Sequence, residues 1–178
     1  MLLDYLCTYP NAVLRYYAGD MQLSVKSDAA YLVLPGAKSR IAGYNVLSNT
    51  VNKQKSSPLF IECKAIRHVV CSAAEAETHG LFINCQNAII IRHALIGLGH
   101  QQKKIVVRTD NTTSTGFVNK TMKEKRSKTW DMRYNWLRDD VVKKIIDVKR
   151  RKGSENMTDY LQKIILQVII KRKEMITY

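Results

Sequence analysis

Four carboxylates occupy places where a regular element would deliver a side chain to a common point: Asp28, Glu77, Asp110 and Asp159. Asp28 follows an alternating stretch with Leu23 and Val25, and Asp110 follows the β-branched run Ile105-Val106-Val107. Glu77 lies early in a segment rich in Ala, Leu, Ile and Glu, and Asp159 lies in the segment opened by Gly153-Ser154. Carboxylates from separate segments that converge at one end of a sheet raise each other's pKa values and weaken the fold. A divalent cation offsets that repulsion. Mg²⁺ takes oxygen ligands and keeps several waters, so a few carboxylates and a substrate phosphate suit it. Two such ions about 3.5–4 Å apart activate a water and stabilise the leaving oxygen in phosphodiester cleavage. The expected cofactor is therefore Mg²⁺ or Mn²⁺, as two ions on this quartet.

Helix geometry separates Glu77 from its neighbour Glu75. Positions three and four apart share a face. From Glu77 that stripe passes through Leu81, Cys85 and Ala88, a core-facing set, whereas from Glu75 it passes through His79 and Gln86, a solvated set. Glu77 is thus expected to point at the sheet, and Glu75 and His79 at water. Both glutamates also suit the first turn of a helix through its dipole, so spacing alone leaves that alternative open.

The elements that must position these groups follow from periodicity and turn signals. A short helix is expected over residues 2–17, with a turn at Tyr9-Pro10-Asn11. Strands are expected at 22–27, ending at Asp28, then at 41–47 and 59–71. A long helix spans 73–98 and a strand spans 104–109, ending at Asp110. Helices follow at 111–120 and 129–140, a fifth strand at 145–149, and a last helix carries Asp159. Three meandering strands followed by alternating helices and strands imply an α/β fold with a mixed five-strand sheet flanked by helices.

The chain of 178 residues carries a net charge of +14, and residues 101–178 hold 20 Lys and Arg against 9 Asp and Glu. Such a balance favours nucleic acid or another polyanion as partner. Lys120, Lys123, Lys125, Arg126 and Lys128 are candidate phosphate contacts, and Asn111 is a candidate substrate contact beside Asp110. Trp130, Tyr134 and Trp136 suit base stacking but, at helical spacing, more often fill a core. Cys7, Cys63, Cys71 and Cys85 form no Cys-x-x-Cys pair and no zinc spacing with the four histidines. They read as reduced, mostly buried thiols of an intracellular protein, cytoplasmic or nuclear rather than secreted. Asp4 and Pro10 interrupt any secretory apolar region, and no apolar run is long enough to span a membrane.

Five motifs occur in order: Ser27-Asp28-Ala29-Ala30-Tyr31, Ser72-Ala73-Ala74-Glu75-Ala76-Glu77, Thr109-Asp110-Asn111, Trp130-Asp131-Met132-Arg133-Tyr134 and Met157-Thr158-Asp159-Tyr160-Leu161. Over residues 2–161 the chain resembles the ribonuclease H domain of copia-type retrotransposon polyproteins, and the element order matches the ribonuclease H fold. The resemblance implies a two-metal nuclease that cuts the RNA strand of RNA–DNA hybrids, with Asp28, Glu77, Asp110 and Asp159 as its acidic quartet. It implies reverse transcriptase and integrase portions of a parent polyprotein as partners. Residues 1–20 then read as the end of the connection behind a reverse transcriptase, 21–161 as the ribonuclease H-like domain, and 162–178 as an aberrant tail. After Leu161 the likeness stops, and a frameshift there would account for the apolar tail. A catalytically silent relic and a basic nucleic-acid-binding module on the same fold are the competing functions.

Overall fold

The computed structural model describes residues 7–11, 13–48, 56–119 and 131–151. Its elements are β1 (Gln22–Leu34), β2 (Lys38–Ser48), β3 (Pro58–Ala65), α1 (Ala73–Gly97), β4 (Ile105–Thr109), α2 (Thr112–Val118), α3 (Asp131–Val142) and β5 (Ile146–Arg150). The sheet has five strands in the order β3-β2-β1-β4-β5. β1, β2 and β3 form the antiparallel meander, while β4 runs parallel to β1 and β5 parallel to β4. Parallel neighbours require a crossover, and the helices supply it. α1 carries the chain from the meander to β4, and α2 with α3 carries it from β4 to β5.

Alternation in the strands decides which face is buried. Leu23, Val25, Ile105, Val107, Ile146 and Val148 meet Leu81, Cys85, Ala88 and Leu95 of α1, with Val118 of α2 and Leu137 of α3 closing the cluster. The predicted stripe from Glu77 through Leu81, Cys85 and Ala88 is therefore the core face of the helix. Trp136 packs at the edge of this cluster, its ring edge-on to Phe82, and Tyr134 is buried. Both aromatics thus serve packing, whereas Trp130 lies outside the described residues. A second cluster of Ile41, Ile66, Val70 and Ala76 seats the start of α1 on the meander.

Two glycines set how closely α1 approaches the strands. At Gly43 a Cβ would stand 2.0 Å from Asn84 Oδ1. Asn84 is fully buried on α1 and donates to Ser27 Oγ (2.9 Å) and Ala42 O (3.0 Å), tying the helix to β1 and β2 at once. Gly43→Ala should therefore destabilise the protein by about 1–3 kcal/mol, since the new methyl displaces a buried hydrogen-bonded amide. Gly97→Ala, where nothing lies within 4 Å of the added carbon, should be near neutral. Urea unfolding of the two variants checks the contrast.

Several expectations need correction. The first strand does not stop at residue 27, because the hairpin with β2 keeps pairing through Ala30↔Arg40 and Leu34↔Lys38. β3 ends at Ala65 instead of reaching Cys71, where the chain leaves the sheet to pack Ile66 and Val70 under α1. Residues 13–18 form no helix. Of the four free thiols only Cys85 is buried, while Cys7 and Cys71 are exposed. The expected last helix with Asp159 and the tail after Leu161 lie outside the described residues. Among the described residues, no helix is long and apolar enough to cross a membrane.

Candidate active site

Strand register brings the first two carboxylates together. β4 pairs with β1 as Ser24↔Val106, Val25↔Val107 and Lys26↔Arg108. Asp28 lies two residues beyond Lys26, and Asp110 lies two beyond Arg108. Parallel strands advance together, so both side chains reach the same level just past the point where β1 and β4 stop pairing. The third carboxylate arrives from α1. Gly80 lets this helix ride close over β1, since a Cβ there would sit 3.3 Å from Asp28 O and from Ile41 Cγ2. Glu77, one turn earlier, faces the same strand. One oxygen from each of Asp28, Glu77 and Asp110 lies within 4.8 Å of the others.

The electrostatics of this trio carry a cost. Burial, then the charges of Asp28 and Asp110, push the Glu77 carboxyl up to about 9. A hydrogen bond from the Ala29 backbone N–H acts in the opposite direction. Glu77 Oε2 is buried and has no hydrogen-bond partner. A donorless carboxylate oxygen beside two further carboxylates is a poor arrangement for protein alone. It fits a hard divalent cation, for which Asp28, Glu77 and Asp110 would supply oxygen ligands.

Asp159, Lys120, Lys123, Lys125, Arg126 and Lys128 lie outside the described residues. Asn111 does sit beside Asp110, but its side chain is engaged within the fold. Its Oδ1 accepts from Ser114 N (2.9 Å), capping α2. Ser114 Oγ in turn meets Thr78 Oγ1 at 3.1 Å, linking α2 to the helix that bears Glu77. The Arg151 backbone N–H donates to Thr109 O (2.8 Å), extending the β4–β5 ladder one residue past Thr109↔Arg150.

Glu75 and His79 are buried, against the expectation that they face water. Glu75 closes the start of α1: its Oε2 accepts from Cys71 N (2.7 Å), while Ser72 Oγ accepts from Glu75 N (3.1 Å). This reciprocal cap is the role of a Ser-x-x-Glu pair. His79 packs edge-on against His68, with ring centroids 4.5 Å apart, and Arg133 Nη1 lies 3.0 Å from His68 Nε2. Burial, then the positive charge of Arg133, lowers His79 to about 4.

The sheet order and flanking helices are those of the ribonuclease H fold, and comparison with solved structures agrees. The chain is similar to the N-terminal RNase H domain of a Mycobacterium tuberculosis protein, with a TM-score of 0.59, 13% identity, and coverage of 86% of this chain and 99% of that one. It is similar to LC11-RNase H1 crystallised with an RNA/DNA hybrid, with a TM-score of 0.57, 12% identity, and coverage of 78% and 92%. No protein-family model matches. Among curated proteins, the chain is 25% identical over 165 residues to the retrovirus-related Pol polyprotein from transposon TNT 1-94 of Nicotiana tabacum. That match covers 86% of this chain and 12% of the polyprotein's length. The fold is thus that of ribonuclease H domains, and the similarity to a segment of a retrotransposon polyprotein agrees with the motifs.

Proposed function

We propose that the chain is a divalent-metal-dependent endonuclease that cuts the RNA strand of RNA–DNA hybrids during retrotransposon reverse transcription. The observation that carries this reading is the convergence of Asp28, Glu77 and Asp110 at the split between β1 and β4. Asp159 completes the set by resemblance. Two bound Mg²⁺ or Mn²⁺ ions would supply an activated water and stabilise the leaving oxygen. The chain's own part is to hold ligand oxygens at fixed spacing and to seat the hybrid. Arg151, with the lysines and arginine of 120–128, supplies positive charge for phosphates, and Asn111 positions the loop after Asp110. Specificity rests on the RNA 2′-hydroxyls and groove shape, because side chains read A-form helices poorly by base sequence.

The test is a labelled RNA–DNA hybrid incubated with the purified chain. Cutting is expected in Mg²⁺ or Mn²⁺ and none in excess chelator, with DNA duplex left intact. Equal cutting in chelator would sink the metal mechanism. Binding without cutting in either metal would identify a basic nucleic-acid-binding module on the same fold.

A further inference from the structure

We infer that the free edge of β3 is an interface between two copies of this chain, independent of the proposed nuclease reading. Among the described residues β3 is an outer strand of the sheet, so one row of its backbone N–H and C=O groups faces away from β2. Folded proteins usually blunt such an edge with charge or cover it. Here Leu59, Phe60 and Ile61 follow one another along it, exposed on both faces of the sheet. The segment before β1 adds to the same region. Tyr16 Oη donates to Pro58 O and Ser57 N donates to Arg15 O, both at 3.0 Å, which lays residues 13–17 against the start of β3. Val13, Leu14, Tyr16, Tyr17, Leu59, Phe60 and Ile61 are each between 39% and 70% exposed. Together they present several hundred Å², comparable to the ~800 Å² per partner of a specific interface.

The occupant follows from symmetry and charge. An antiparallel pairing of β3 with another β3 is two-fold by construction, so the same patch closes on itself and no edge is left over. A chain of charge +14 would ordinarily repel its copy, but the charge is segregated. In and beside the patch the described charges are Arg15, the mutually paired Glu62 and Lys64, and Lys26, whose ammonium lies over the Tyr44 ring opposite Ile61. Lys143, Lys144, Lys149, Arg150 and Arg151 sit at or beside β5, on the opposite edge of the sheet, about 19 Å away at four strand spacings. Pairing through β3 thus keeps both basic flanks outward and the two acidic corners open.

Sedimentation velocity of the purified chain over a hundredfold range of concentration tests this. A monomer–dimer equilibrium is expected, undiminished by added salt because the contact is apolar. The variant Leu59→Lys with Ile61→Lys should lower the association constant at least tenfold, whereas Lys149→Glu on the far edge should leave it unchanged. Should the double variant lose its fold by circular dichroism, amide exchange of β3 in the wild type decides. Slower exchange at high concentration supports the dimer, and unchanged exchange overturns it. A monomer at every concentration, or one that instead captures a separately expressed polymerase polypeptide, overturns the proposal, as does a dimer indifferent to the edge substitutions.

Discussion

Asp28→Asn and Asp110→Asn should each lower the proposed cleavage of RNA–DNA hybrids by roughly a thousandfold or more, because each removes a charged oxygen ligand from the proposed cation site. The substitution is nearly isosteric, so folding should persist. Both positions belong to the sheet's own register: Asp28 is flanked by paired residues on β1, and Asp110 directly follows the last residue of β4. Hybrid affinity should change little, since phosphate contacts depend on basic residues outside the trio. Single-turnover cleavage together with a filter-binding or anisotropy titration separates the two effects. If the Asn variants bind an order of magnitude more weakly and cut at the wild-type rate when saturated, these aspartates belong to the binding surface and not to the chemistry.

The parts of this arrangement that periodicity exposes are those built from repeated contacts. Leu23 and Val25 alternate, Ile105 to Val107 run β-branched, and Leu81, Cys85 and Ala88 recur on one helical face; each pattern is the imprint of a core that the structure contains. Convergence of Asp28 with Asp110 also lies in the sequence once the strands are assumed parallel, since each follows its strand's apolar run. What periodicity does not carry is where a strand ends when its partner dictates the end. Alternation of apolar and polar residues stops at Ser27, and the expected strand ends there, yet the hairpin with β2 holds Asp28 to Leu34 in the sheet. Nor does a helical wheel show what an adjacent loop covers. The Glu75 and His79 face is polar and reads as solvated, but the segment from Ile66 to Ser72 folds over it, placing His68 on His79 and the Cys71 amide on Glu75. A local signal for half of this was present: Ser72 three residues before Glu75 spells a capping pair. The burial of His79 has no comparable sequence signature.

That distinction yields the second large effect, a pair of glutamate variants that diverge in kind. Glu77 in the metal-free fold keeps its proton up to about pH 9, against an ordinary value near 4.5, because it is buried beside Asp28 and Asp110. The folded state therefore binds a proton that the unfolded chain has released. Below about pH 4.5 the group costs nothing; from there towards pH 9 the metal-free protein loses stability as pH rises, by on the order of 3 kcal/mol at neutral pH. Glu77→Gln removes the ionisable group and keeps the shape. In chelator the variant should melt several degrees higher than wild type at pH 8 and no higher at pH 4.5, yet cut no hybrid and gain no stability from added Mg²⁺. Glu75→Gln should do the reverse. Its carboxylate caps α1 through the Cys71 N–H, so the variant should lose about 0.5–2 kcal/mol of stability while keeping most of its cleavage rate at temperatures where it is folded. Thermal melts at several pH values, with and without Mg²⁺, and cleavage rates below the melting range read both predictions. Parallel behaviour of the two variants, either in stability or in rate, would show that Glu75 and Glu77 share one role and that the face of α1 does not divide cap from site.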